Sequence, residues 1–143
     1  MGLSFDLIVF APNHVPKQKA EFASWFGRVR GTPDDFCHPS MENCVQELKE
    51  YYSELKSYLP WQEEEPDSTC AADYSFARYM IHCSFPLSCQ RKAYDTALAL
   101  CWRLQLGLYD ISGSGDVIYP EAAWEAIEAR STSKKPWWKF WRP

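Results

Sequence analysis

From Leu3 to Phe10 the side chains alternate, with Phe5, Leu7 and Val9 on one side and Asp6, Ile8 and Phe10 on the other. A period of two with apolar residues on both sides predicts a strand covered on both faces. After Pro16 the period lengthens: Phe22, Trp25, Phe26 and Val29 recur at helical spacing and predict a helix to about Val29. A turn-forming stretch, Gly31 to Asp35, separates it from the clearest helical stripe in the chain. That stripe comprises Met41, Cys44, Val45, Leu48, Tyr52, Leu55 and Leu59, with Ser40 as its expected N-cap and Pro60 as its end. Alternation returns over Tyr74 to Phe85, which is long for one strand, so a bend or hairpin is expected near Ala77 and Arg78. Ser88 is placed to cap a helix running to about Leu106, with Gly107 as its left-handed stop. Two short strands, 108–112 and 116–119, flank the loop Gly113-Ser114-Gly115. Pro120 then opens a last helix to Arg130.

Strands joined both by hairpins and by helical crossovers imply an α+β fold. The expected architecture is a mixed or antiparallel sheet with helices packed on one face, an extra C-terminal helix and a Trp-rich tail. One domain is expected over residues 1–130, with 131–143 forming a linker and a basic tail.

Charge divides the chain the same way. The 143 residues carry 15 basic and 19 acidic side chains, a net charge of −4. Lys134, Lys135, Lys139 and Arg142 give the last ten residues a charge of +4, leaving eleven bases against nineteen acids, or −8, in the body. An acidic body repels phosphate backbones, so no nucleic-acid partner is expected. No apolar run approaches the roughly 20 residues needed to cross a bilayer. The first ten residues lack the basic start and long apolar core of a signal peptide, so a cytoplasmic address is expected. Cysteines 37, 44, 70, 83, 89 and 101 are then expected to be thiols, several of them on apolar stripes. No C-x2-C pair occurs and Cys37, His38 and Cys44 are poorly spaced, so neither a metal nor another cofactor is expected.

Three motifs, Ser4-Phe5-Asp6-Leu7-Ile8-Val9-Phe10, Asp73-Tyr74-Ser75 and Gly107-Leu108-Tyr109-Asp110-Ile111-Ser112, occur in that order. Over about residues 3–120 the chain resembles a family of small bacterial immunity proteins from contact-dependent and type VI toxin systems. The family's acidic loop before the Asp-Tyr-Ser motif is matched by Glu63, Glu64, Glu65 and Asp67. The resemblance implies a protein that binds and occludes a cognate toxin without catalysis. After Tyr119 the chain departs from it: the last helix and the tail are additions.

Catalytic patterns are poor by comparison. Ser114 lies in a hairpin turn, not in the G-x-S-x-G turn between strand and helix that exposes a nucleophile. His14, His38 and His82 fall in separate segments without a recognisable nucleophile, so no enzyme is expected. The candidate toxin interface comprises Glu63, Glu64, Glu65 and Asp67, the flanking aromatics Tyr58 and Trp61, and a second anionic loop at Asp34 and Asp35. Anionic groups there would steer a basic partner, and the aromatics would anchor it. In the tail, Lys134, Lys135, Trp137, Trp138, Lys139, Phe140, Trp141 and Arg142 combine rings and cations as interfacial anchors do. Three readings of the tail stay open: peripheral membrane contact, docking onto the domain or a second copy, and a disordered or partner-binding peptide. The alternative function is accordingly a membrane-peripheral adaptor or chaperone. The oligomeric state is not legible in the sequence.

Overall fold

The structure, a computed structural model, describes residues 4–29, 42, 44–61, 70–112 and 115–130. Their order is β1 (Ser4–Phe10), α1 (Lys19–Arg28), α2 (Gln46–Leu55), β2 (Asp73–Phe76), β3 (Met80–Pro86), α3 (Gln90–Leu104), β4 (Gly107–Tyr109), β5 (Val117–Ile118) and α4 (Pro120–Arg130). The fold is α+β. Its five strands form one sheet in the order β2-β3-β1-β4-β5, and every neighbouring pair is antiparallel.

The central strand has the alternation its sequence predicts. Phe5, Leu7 and Val9 join Cys83 and Phe85 of β3 beneath α2, α3 and α4, whose Leu48, Tyr51, Leu55, Leu98, Cys101 and Ile127 complete the larger core. Full burial of each such aliphatic or aromatic side chain contributes about 1.5–3 kcal/mol before entropy is counted. Ile8 and Phe10 point the other way, and there α1 departs from the one-sided arrangement expected of the helices. Its Phe22 covers them, with Val15, Val29, Met80 and Val117, in a second core. An apolar strand facing both ways needs a helix on each side, and Ile8 and Phe10 require α1.

The apolar run 74–85 folds as two strands about a turn at Ala77–Tyr79, where the Ala77 N–H donates to the Met80 carbonyl at 2.9 Å. The turn changes the facing of the first half. Unbroken alternation would set Tyr74 and Phe76 opposite Ile81, Cys83 and Phe85, but across the turn they join the same larger core. The same turn receives the chain before α2: the Cys44 thiol donates to the Ala77 carbonyl at 3.0 Å, and the Val45 N–H donates to Arg78 at 3.0 Å. Consequently α2 starts at Gln46, with extended Val45 before it, whereas the expected cap Ser40 lies outside the described residues.

Two other expected boundaries move. Ser88 does not cap α3, because Leu87–Cys89 form a 3-10 turn and Cys89 occupies the position before the helix. At the other end the left-handed residue is Gln105, with φ 59°, while the Leu106 N–H donates back to Cys101 at 2.8 Å. That bond defines a Schellman-type stop two residues before Gly107. Gly107 is instead the first residue of β4.

The expectation of six thiols is also corrected. Cys70 and Cys89 form a disulfide, which staples the chain just before β2 to the start of α3, while Cys44, Cys83 and Cys101 are buried thiols. Nothing local marks this pair, since their 19-residue separation closes only when the sheet and α3 assemble. No described helix is long and apolar enough to cross a membrane.

Candidate functional site

The acidic residues Glu63, Glu64, Glu65 and Asp67 lie outside the described residues, as do Asp34, Asp35 and the tail residues Lys134 to Arg142. What is described is the frame that carries the acidic segment. On its N-terminal side Trp61 forms a parallel bridge with Ala72, and the Ala72 N–H donates to the Pro60 carbonyl at 2.8 Å. The Tyr74 hydroxyl donates to the Leu59 carbonyl at 2.6 Å, tying the end of the α2 region to β2. On its C-terminal side Cys70 is bonded to Cys89. The residues on either side of segment 62–69, which carries four acids and no base, are thus tied into the described fold.

The two aromatics expected to flank this segment differ in role. Tyr58 is 45% exposed and offers its ring to solvent beside the loop base. Trp61 is half-buried, edge-on to Tyr52 at 6.4 Å and to Phe76 at 6.0 Å, and so belongs mainly to the frame.

The disulfide also links this frame to a groove of about 650 Å³ at the start of α3. Cys89 is flanked in sequence by three groove residues, Leu87, Ser88 and Gln90. Phe5 and Tyr94 form its aromatic walls, with ring centres 6.2 Å apart, and Arg91 stands at its mouth. Asp110, only 7% exposed, lines it from the end of β4. Three large hydrophobic residues are exposed among those described: Tyr58, Leu87 and Ile111. Of these Leu87 lines the groove, and Ile111 directly follows the groove residue Asp110 in sequence. Asp110 was legible in the sequence only as part of the Gly-Leu-Tyr-Asp-Ile-Ser motif. A carboxylate directly after an apolar strand is the signal that would have singled it out.

Elsewhere the polar chemistry is sparse. His82 Nε2 stands 3.5 Å from Asp6 Oδ1 across neighbouring strands, with Ser75 opposite His82 in the β2–β3 register. His82 thus presents to the carboxylate the nitrogen that a relay would present to a nucleophile. His14 stacks on Tyr79 at 4.4 Å. No cluster of three or more His, Cys, Asp or Glu residues able to hold a metal ion occurs among the described residues. Burial pushes the Cys44 thiol up to about 11 and raises Cys83 and Cys101 further, so none is a poised nucleophile near neutrality. Among the described residues the groove brings together aromatic and apolar side chains around Asp110.

No protein-family model, curated protein or solved structure matches this chain.

Proposed function

We propose that this chain is an immunity protein that binds a cognate antibacterial toxin and occludes it, with no chemistry of its own. The observation that carries the reading is the frame of the acidic segment. Four carboxylates in eight residues lie in sequence between Trp61, bridged to Ala72, and Cys70, bonded to Cys89. A segment fixed at both ends loses less conformational entropy on binding than a free one, while its charge accelerates encounter with a basic partner. The three-motif resemblance of the sequence and the body charge of −8, eleven bases against nineteen acids, support the same reading.

The disulfide bears on where the protein works. Such bridges persist in oxidising compartments and are rare in the cytoplasm. It favours an oxidising compartment over the cytoplasmic address expected from the sequence. Alkylating thiols in intact cells before lysis decides this: a Cys70–Cys89 pair found reduced there restores the cytoplasmic assignment.

Binding is tested by co-expression with the product of the adjacent gene, which should lose its toxicity, followed by co-purification. Changing Glu63, Glu64 and Glu65 together to Lys should weaken the complex at low salt and much less at high salt. Unchanged affinity at low salt would remove the acidic segment from the interface, and persistent toxicity would end the immunity reading.

A further inference from the structure

We propose that the C-terminal tail, Lys134–Pro143, docks back onto its own domain in the groove at the start of α3. This inference is independent of any partner's identity.

The direction of α4 brings the tail to the groove. The start of α4 lies beside the end of α3, because Gln105, Pro120 and Glu121 line one hollow. Further along, Trp124 stacks obliquely on Trp102 at 4.9 Å. The helices therefore run antiparallel. From Trp124 to Arg130 is six residues, or about 9 Å of helix, which brings Arg130 level with about Thr96 on α3. Tyr94 and Arg91 are the next groove-lining residues in that direction. Three residues separate Arg130 from Lys134, and an extended chain spans about 3.3 Å per residue, so the tail begins within reach.

The chemistry of tail and groove is complementary. The groove holds a buried aspartate, Asp110, aromatic walls at Phe5 and Tyr94, and the exposed Leu87; Ile111, next in sequence to Asp110, is exposed beside it. The tail supplies four cations together with Trp137, Trp138, Phe140 and Trp141. A basic side chain placed towards Asp110 lowers the cost of burying that carboxylate further, and the indoles cover the apolar rim. Arg91 at the mouth repels the tail's cations but not its rings, whose faces attract a guanidinium. Docking thus sets the indoles on the apolar rim and a tail cation towards Asp110.

The test uses the full chain. Leu87→Lys with Ile111→Lys places two like charges on exposed positions where the fold has little stake, and circular dichroism confirms folding. Chymotrypsin cuts after the tail aromatics, and its rate follows the population of undocked tail when docking is fast. Mass spectrometry should show the tail removed about tenfold faster from the double variant, which corresponds to about 1.4 kcal/mol of lost docking. In hydrogen exchange, Trp137, Trp138 and Trp141 changed together to Ala should deprotect residues 87–94 and 110–112. Equal cleavage rates with unchanged exchange overturn the proposal. So does groove protection that is lost on dilution with a change from dimer to monomer, because the tail then docks on a second copy. Tail protection that appears only with anionic phospholipid vesicles overturns it in favour of membrane contact.

Discussion

Gly107 lies against the ring of Phe10, its direct partner in the β1–β4 register, so closely that a Cβ at position 107 would stand 2.1 Å from the ring's Cζ. The ring cannot easily retreat. It packs on Phe22 at 4.7 Å and edge-on to Tyr119 at 5.7 Å, within the core beneath α1. Glycine is required here by the space the ring occupies, and not by any unusual φ.

Gly107→Ala should therefore destabilise the fold by about 2–3 kcal/mol, the upper part of the range for overpacking. Gly27 provides the control: it sits exposed in α1 with nothing within 4 Å of its would-be Cβ. Gly27→Ala should stabilise by about 0.5–1 kcal/mol through lower unfolded-state entropy and better helix propensity. Urea midpoints of both variants check the pair, and a shift of the same sign in both would contradict the geometry.

Reducing the Cys70–Cys89 bridge, or changing both residues to Ser, should cost about 3 kcal/mol, the loop-closure value for the 19-residue separation. For a domain of this size that lowers Tm by about 10 °C. The bridge lies next to the acidic segment, so on the proposed immunity reading its reduction should weaken partner binding more than a surface substitution elsewhere does. Calorimetry with and without reductant reads the first effect, and titration of the partner reads the second.

The sequence carried the parts of this fold that local pattern encodes. Phe5, Leu7 and Val9 against Ile8 and Phe10 announced a strand with two covered faces, and Leu48, Tyr52 and Leu55 announced the face of α2. Where two local signals compete, the nearer tertiary contact decides. Gly107 looked like a helix stop, yet the ring of Phe10 needs it in β4, and Gln105 takes the left-handed position at the end of α3 instead. Contacts distant in sequence were not legible at all. Cys70 meets Cys89, and Asp110 comes to line one groove with Tyr94, only after β1, β4 and α3 have assembled. The candidate groove is made almost entirely of such pairs. The acidic segment, by contrast, was legible as charge, and the structure adds only its frame.

The three buried thiols set a limit at alkaline pH. In the unfolded chain a thiol ionises near 8.5. In the fold Cys44 is held up to about 11, and burial holds Cys83 and Cys101 higher still. Above about pH 8.5 the unfolded state loses protons that the folded state keeps. Stability contributed by the neutral thiols is thus full below that pH and falls as pH rises, by about 1.4 kcal/mol per unit for each thiol. Urea midpoints at pH 7, 9 and 10.5 should decline, and Cys44→Ala should make the decline shallower. A flat profile would show that these thiols are not buried as described. Alkylation of all three should likewise require unfolding.

Tyr51 presents the opposite balance of contact and solvation. Its ring is fully buried between the sheet and the helices, and its hydroxyl has no hydrogen-bond partner among the described residues. The hydroxyl's proton is held far more tightly than usual, first by burial and then by Cys83, Cys101 and Tyr74 nearby. A buried hydroxyl without a partner forfeits its hydration for nothing, a penalty of about 1–3 kcal/mol. Tyr51→Phe removes that penalty and keeps nearly all of the ring's packing, at the cost of the small space the oxygen filled. The variant should be more stable than the parent by about 1 kcal/mol, with unchanged m-value in urea. Tyr51→Leu, which loses the ring as well, should be destabilised by more than 2 kcal/mol. If Tyr51→Phe were instead destabilising by a similar amount, the hydroxyl would be shown to hold a buried water or another partner, and the core around Cys83 and Cys101 would need to accommodate it.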